Sequence, residues 1–248
     1  MNTLIAISRC CVGGLLCLSL LSCGQSRGKK NEQPVRLAMT SVYTGQPVTV
    51  DGLAAAGEWS AADSIVVYDD SLRIPNQIII RSQWDSSYLY FLFDARDSNL
   101  QAIQTVRDHP QLAKDDIIEF LLDANDDHGT CWNSDDIIYH INLLGQTKDD
   151  RGNDSCRSDA RWNGLAAIAA SVYGTVNVPG DIDTGYVVEV AVPWQEIGRA
   201  PAPGLVIGAN FGGQSDGVFY DWVDAWPFRQ PFKFGTLTLT KKDHASHQ

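Results

Sequence analysis

The chain has 248 residues, with 30 Asp and Glu against 19 Lys and Arg, a formal net charge of −11. That balance excludes a nucleic-acid surface, because phosphate contacts require a basic stripe. A length of this order suffices for one domain with a full apolar core, and no internal repeat is visible.

In chain order, residues 1–22 hold a single charged side chain, Arg9, and an apolar run through Val12, Leu15, Leu16, Leu18, Leu20 and Leu21. The run is shorter than the ~20 residues a membrane-spanning helix needs. It stops at Leu20-Leu21-Ser22-Cys23-Gly24, which resembles a bacterial lipoprotein box. Such a box needs a small residue on the departing side and a thiol to carry a diacylglyceryl thioether. Residues 1–22 are therefore expected to be a lipoprotein signal peptide, with lipidation at Cys23; an ordinary secretory signal is the alternative. Gly24 after the cysteine, rather than Asp, directs the expectation to the outer membrane of a cell with two membranes. The domain would then stand in the periplasm or outside, touching the membrane through its lipid anchor alone. The mature chain would carry 18 Lys and Arg, one fewer than the full sequence, and still 30 acids.

Residues 23–44 are polar and read as a flexible tether. Beyond them, short apolar runs alternate with turn chemistry. Strands are expected at 48–50, 64–68, 77–84, 88–94, 116–122, 137–143, 165–172, 186–192, 205–211 and 234–240. That spacing predicts an all-β, antiparallel β-sandwich, jelly-roll-like, over residues 45–241. Minor helical turns are expected at 100–107 and 194–197, and a disordered tail at 242–248. Cys10, Cys11 and Cys17 would leave with the signal peptide, so Cys131 and Cys156 remain as a pair. In an exported protein that pair reads as a disulfide, worth about 3.5 kcal/mol in the chain-entropy account. A metal site is the alternative, but no His partner stands at a suitable spacing.

Residues 77–127 are the most informative stretch. Leu89, Phe91 and Phe93 alternate with Tyr88, Tyr90 and Leu92, so both faces of that strand are apolar. Trp84-Asp85-Ser86-Ser87 before it supplies turn residues and closes a hairpin. Asp115 and Asp116 then precede Ile117-Ile118-Glu119-Phe120-Leu121-Leu122, in which Glu119 is the one charge. A carboxylate inside a strand must meet water, a ligand or a partner, because burying it unpaired is costly.

These pieces, with Val48-Thr49-Val50-Asp51-Gly52 and Glu58-Trp59 upstream, together resemble the family 9 carbohydrate-binding modules and the related DOMON-like sandwiches. The further matching pieces are Gly185-Tyr186-Val187-Val188-Glu189-Val190-Ala191-Val192-Pro193-Trp194, Ile207-Gly208-Ala209-Asn210-Phe211 and a closing Phe234-Gly235-Thr236-Leu237-Thr238-Leu239. The likeness spans residues 46–240. It implies sugar recognition by stacking, the C–H face of a pyranose on an aromatic ring while carboxylates and amides take its hydroxyls. Carried over by position, Glu119 matches the family's acidic strand residue and His140 falls where the family has Arg. Phe228 falls at the second Trp position, with Trp226 two residues earlier. The first Trp position falls at Ala113, which has no ring, so either Trp132 or another loop ring replaces it or the ligand differs.

The cluster Phe219-Tyr220-Asp221-Trp222-Val223-Asp224-Ala225-Trp226-Pro227-Phe228-Arg229 offers a sugar platform. The expected carbohydrate-binding residues are Trp226, Phe228, Glu119, His140, Trp222 and Arg229. The plainer reading is that half of these rings plug the end of a sandwich, as Trp59, Trp84 and Trp194 are expected to do. Asp123, Asn125 and Asp127 resemble half of a calcium loop, but His128 stands where Gly is expected and Ser134 where the closing Glu is. A solvated acidic turn is the alternative. The resemblance implies that structural calcium occurs in this family.

Four functions compete. The leading one is a non-catalytic, carbohydrate-binding lipoprotein that holds an oligo- or polysaccharide, or a glycoside hydrolase partner, at the cell envelope. A structural envelope lipoprotein that kept the fold and lost the sugar site is the alternative, favoured by Ala113. A glycosidase would need Glu119 with Asp116 or Asp115, carboxylates that lie along one strand rather than across a cleft. Haem binding, known among relatives of the sandwich, would need Met39 or a pair from His109, His128 and His140.

Overall fold

The computed structural model describes residues 36–68, 76–224 and 229–241. The strands are β1 (Ala38–Tyr43), β2 (Ser64–Tyr68), β3 (Gln77–Trp84), β4 (Tyr88–Arg96), β5 (Ile117–Asp123), β6 (Asp136–Asn142) and β7 (Thr147–Asn153). They continue as β8 (Arg157–Asp159), β9 (Ala167–Tyr173), β10 (Gly185–Pro193), β11 (Val206–Ser215), β12 (Val218–Asp221) and β13 (Gly235–Thr240). One helical turn, α1 (Trp194–Ile197), and two 3-10 turns, Leu112–Lys114 and Pro231–Lys233, are the helical content among these residues.

The ladder runs β8-β7-β6-β5-β11-β13-β1-β3-β4-β10-β9, with β12 beside β11 and β2 beside β3. It folds over as a sandwich. Phe91 and Phe93 of β4 meet Phe120 of β5 at ring distances of 5.3 and 6.2 Å, and Phe91 meets Phe211 of β11 at 5.4 Å. Each such ring, fully buried, contributes about 2–3 kcal/mol of transfer free energy. The other face of β4 is covered too at its middle, where Tyr90 and Leu92 pack with Val48 and Trp59, and only its ends, at Tyr88 and Arg96, are exposed. This is why both of its faces read as apolar in the sequence.

The sequence motifs fold as polar clasps. Glu189 of β10 is fully buried; its carboxylate accepts the Trp59 indole N–H at 3.0 Å and the backbone N–H groups of Asp51 and Gly52, each at 3.0 Å. Burial pushes its pKa up, while those donors pull the other way. Asp85 closes the β3–β4 hairpin by accepting the N–H groups of Ser87 and Tyr88 and the Tyr90 hydroxyl. Trp84 and Trp194 are buried and donate their indole N–H to backbone carbonyls of Thr240 and Asp85.

Several expectations are corrected. Residues 38–43, placed in the tether, form β1, which pairs in parallel with β13 and at its end with β3. Met39 lies buried in the main core. The sheet is therefore mixed rather than purely antiparallel. Residues 48–50 cover β4 without forming a strand. Residues 100–107 are not helical; Asp183, Asp116, Asn177 and Asp115 accept the backbone N–H groups of residues 100–104, which removes the demand for helical hydrogen bonds. The tail at 242–248 lies outside the described residues.

Candidate functional site

Sheet register places one polar row across five strands on the face away from the main core. Lys148 of β7 is paired with His140 of β6, His140 with Glu119 of β5, Glu119 with Gly212 of β11, and Gly212 with Asp221 of β12. Laterally paired residues share a face, with strands about 4.8 Å apart, so these side chains line up across the sheet. The next row holds Asp150, Ile138, Leu121 and Asn210. Asn210 donates to Asp221 at 3.0 Å. A side chain at Gly212 would come within 2.5 Å of the Tyr220 carbonyl, so glycine is what lets β12 lie against β11 here.

Glu119 and His140 are both buried, and His140 Nδ1 lies 3.1 Å from Glu119 Oε2. The contact lacks hydrogen-bond alignment, and among the described residues nothing donates a hydrogen bond to Glu119 Oε2. Among the described residues three further buried polar atoms of this face are in the same state, Asp136 Oδ1, Asp150 Oδ1 and Trp132 Nε1. Each such orphan costs on the order of 1–3 kcal/mol unless something pairs with it. A hydroxyl both donates and accepts, so a polyol suits this mixed set of acceptors and donor.

Arg229 forms one wall. Its guanidinium donates to Asp150 and, at 2.6 Å, to the Ser158 hydroxyl of β8, and lies 5.9 Å from the centroid of the Trp132 ring. Trp132 is buried with Leu121, Ile138 and Phe234 in a small cluster on this outer face. The structure thus places Glu119 beside His140, and Arg229 on Asp150 one row further along the same face. Trp226 and Phe228 lie outside the described residues. Trp222, expected on the platform, points the other way: Asp221 faces the polar row, so the next residue turns inward. Its ring packs 5.8 Å from Phe211 and over Gly235. Ala113 lies half-buried in the first 3-10 turn.

The expected half calcium loop is used up by its own chain. Asp123 accepts the N–H groups of Asp127 and His128, Asp127 accepts Gly129 N–H and the Asn133 amide, and Asn125 Oδ1 accepts from Arg199. Among the described residues no group of three or more His, Cys, Asp or Glu is placed to hold a metal ion. Asp115 and Asp116, just before β5, serve the backbone of the 101–104 segment. No carboxylate pair for glycoside hydrolysis is assembled from them.

Cys131 and Cys156 form a disulfide, with Cα atoms 5.2 Å apart. Asp150, Ser158 and Asn210 lie on this polar face without having been assigned to sugar binding from the sequence, and Asp221 joins them from within the Phe219–Arg229 cluster. Their signal is period-two alternation from Glu119 across the neighbouring strands, which becomes readable only once the pairing is known.

A family model described as "Carbohydrate family 9 binding domain-like" matches residues 50–242. The chain is 29% identical over 173 residues to endo-1,4-beta-xylanase A of Thermotoga maritima, covering 65% of this chain and 14% of that one. It is 28% identical over 222 residues to exoglucanase XynX of Acetivibrio thermocellus, covering 85% of this chain and 18% of that one. The chain thus spans less than a fifth of the length of these relatives. A family 9 carbohydrate-binding module from Caldicellulosiruptor kristjanssonii, in complex with cellotriose, superimposes with a TM-score of 0.62 at 19% identity, over 86% of this chain and 98% of that one. A putative carbohydrate-binding protein from Bacteroides uniformis gives 0.63 at 12% identity, over 83% of this chain and all of that one (100%). The motifs, the sandwich and the family match agree: the chain belongs to the family 9 carbohydrate-binding domain-like proteins.

Proposed function

We propose that the chain binds a gluco- or xylo-oligosaccharide on the Glu119–His140–Arg229 face and performs no chemistry on it. The observation that carries this reading is the set of orphaned buried atoms, Glu119 Oε2, Asp150 Oδ1 and Trp132 Nε1, on one face of one sheet. Sugar hydroxyls satisfy acceptor and donor alike, and the C–H face of the ring would lie on Trp226 or Phe228. The relatives that are xylanases or exoglucanases carry the matching region as a small part of a longer enzyme, which supports a non-catalytic role beside a glycoside hydrolase partner. Anchoring through Cys23, with the domain held at the cell envelope, is the rest of the proposal and rests on the lipoprotein-like box.

Calorimetric titration of the chain from residue 24 with glucose, cellotriose and xylotriose tests the site. Binding is expected, and Glu119→Gln, which keeps the shape and removes the charge, should weaken it at least about tenfold, the scale of one charge-assisted hydrogen bond. Heat with none of these sugars would sink the proposal. It would favour a structural envelope protein, the second reading, which the ringless Ala113 position supports. Labelling of Cys23, but not of Cys23→Ser, by a radioactive fatty acid in a bacterial host tests the anchor.

A further inference from the structure

The disulfide and Arg229 are joined by a chain of contacts that reaches the polar row. Cys131 stands directly before Trp132, whose ring lies beneath the Arg229 guanidinium. Cys156 ends the turn that leads from β7, which carries Asp150, into β8, which carries Ser158. These are the two groups to which Arg229 donates. The segment holding Trp132 also presses directly on β7: a side chain at Gly152 would fall 1.9 Å from the Asn133 carbonyl and 2.7 Å from Trp132 Cδ1. One covalent bond therefore ties the floor under the guanidinium to both of the groups at its edges. The main core contains neither cysteine nor Trp132, and β8 is a three-residue edge strand paired to β7 alone. Such an edge has little holding it except the cross-link.

We propose that Asp150, Ser158 and Trp132 are positioning residues for Arg229, locked by the Cys131–Cys156 cross-link, and that Arg229 so held donates to adjacent hydroxyl oxygens of the bound sugar. The inference rests on the carbohydrate reading of this face. Two of the five guanidinium N–H groups serve Asp150 and Ser158. A planar fork fixed at one side presents its remaining donors in a set geometry, which matches a pair of neighbouring oxygens better than a mobile side chain does.

The test is a double-mutant cycle with cellotriose as the probe. Cys131→Ser with Cys156→Ser should weaken binding about tenfold in the native background and less than about twofold in the Arg229→Ala background, because the cross-link acts through that residue. Equal losses in both backgrounds, or no loss in either, overturn the proposal. Should the cysteine variant fail to fold, Ser158→Ala takes its place: a loss of about threefold is expected, restored by Ser158→Thr and absent without Arg229. An arm free of sugar is the nitrogen-15 signal of the Arg229 guanidinium, identified by its absence in Arg229→Lys. The signal should be sharp in the cross-linked protein and broadened in the serine variant; persistence in that variant overturns the positioning role even if no sugar binds. A native protein that binds neither glucose nor cellotriose removes the carbohydrate reading separately, while the nitrogen-15 arm still decides the role of the cross-link.

Discussion

Glu189 and Glu119 are two carboxylates buried in strands of one sandwich, and their surroundings separate structure from recognition. Three N–H donors of the 48–62 segment converge on Glu189, including the Trp59 indole at 3.0 Å. That set closes the 48–62 segment over β4 and leaves the carboxylate paired. Glu119 has a histidine at 3.1 Å and an oxygen to which nothing among the described residues donates a hydrogen bond. Removing each should therefore act differently. Glu189→Ala strands two buried donors, the Gly52 N–H and the Trp59 indole, and should destabilise the fold by about 3 kcal/mol, seen as a fall in the urea midpoint at unchanged slope. Glu119→Ala relieves an orphaned acceptor and should cost less than about 1 kcal/mol while abolishing sugar binding. A Glu119→Ala chain as unstable as Glu189→Ala would show that both residues are structural.

The elements legible in the sequence were those rich in branched or aromatic residues, whether buried on both faces, as β4, β5, β6 and β10 are, or partly exposed, as β2 and β9 are. The hairpin between β3 and β4 is announced by Asp85. β7 and β8 were not legible, because Thr147-Lys148-Asp149-Asp150-Arg151 looks like a solvated charge run. Yet Asp149 is buried against Arg107 and Asp150 against Arg229, so the charges are spent in pairs that only tertiary contact supplies. β1 was hidden by its polar neighbours in sequence: Met39 and Val42 are buried, but Thr40 and Ser41 between them carry no apolar signal. The site was half legible for the same reason. Glu119 and His140 stand out inside apolar runs, whereas Asn210, Asp221 and Ser158 join them only through register. β1 also offers a test at its own scale. It bridges β13 and β3, and so joins the two layers of the sandwich. A chain beginning at residue 36 should fold, whereas one beginning at residue 45 should lack a cooperative thermal transition. A normal transition in the shorter chain would mean that β1 is dispensable.

At the scale of the whole molecule, excess acid is not confined to the surface. Burial, with Asp97 nearby, raises Asp116 to about 7; burial, with Asp123 beside it, raises Asp136 to about 8. Asp97, Asp123, Asp149 and Glu196 are shifted upward as well, burial being the first cause in each. In the unfolded chain an aspartate gives up its proton near 3.8. Between that pH and the raised native values the folded state holds more protons than the unfolded one, so stability falls as pH rises. The contribution is complete below pH 3.8 and is lost as pH climbs through about 7 for Asp116 and about 8 for Asp136. Growing repulsion in a chain of net charge −11 acts in the same direction. Thermal unfolding should therefore occur about 5 °C or more higher at pH 5.5 than at pH 9, the expectation for a loss of about 2 kcal/mol in a domain of this size. Asp116→Asn carries no proton to lose, and it should flatten the curve between pH 5.5 and 8 while leaving the Asp136 portion above it. A melting temperature that rises from pH 5.5 to pH 9 in the native chain would mean that these carboxylates are ionised and compensated in the folded state. The backbone N–H groups donating to them would then outweigh the cost of burying the charge.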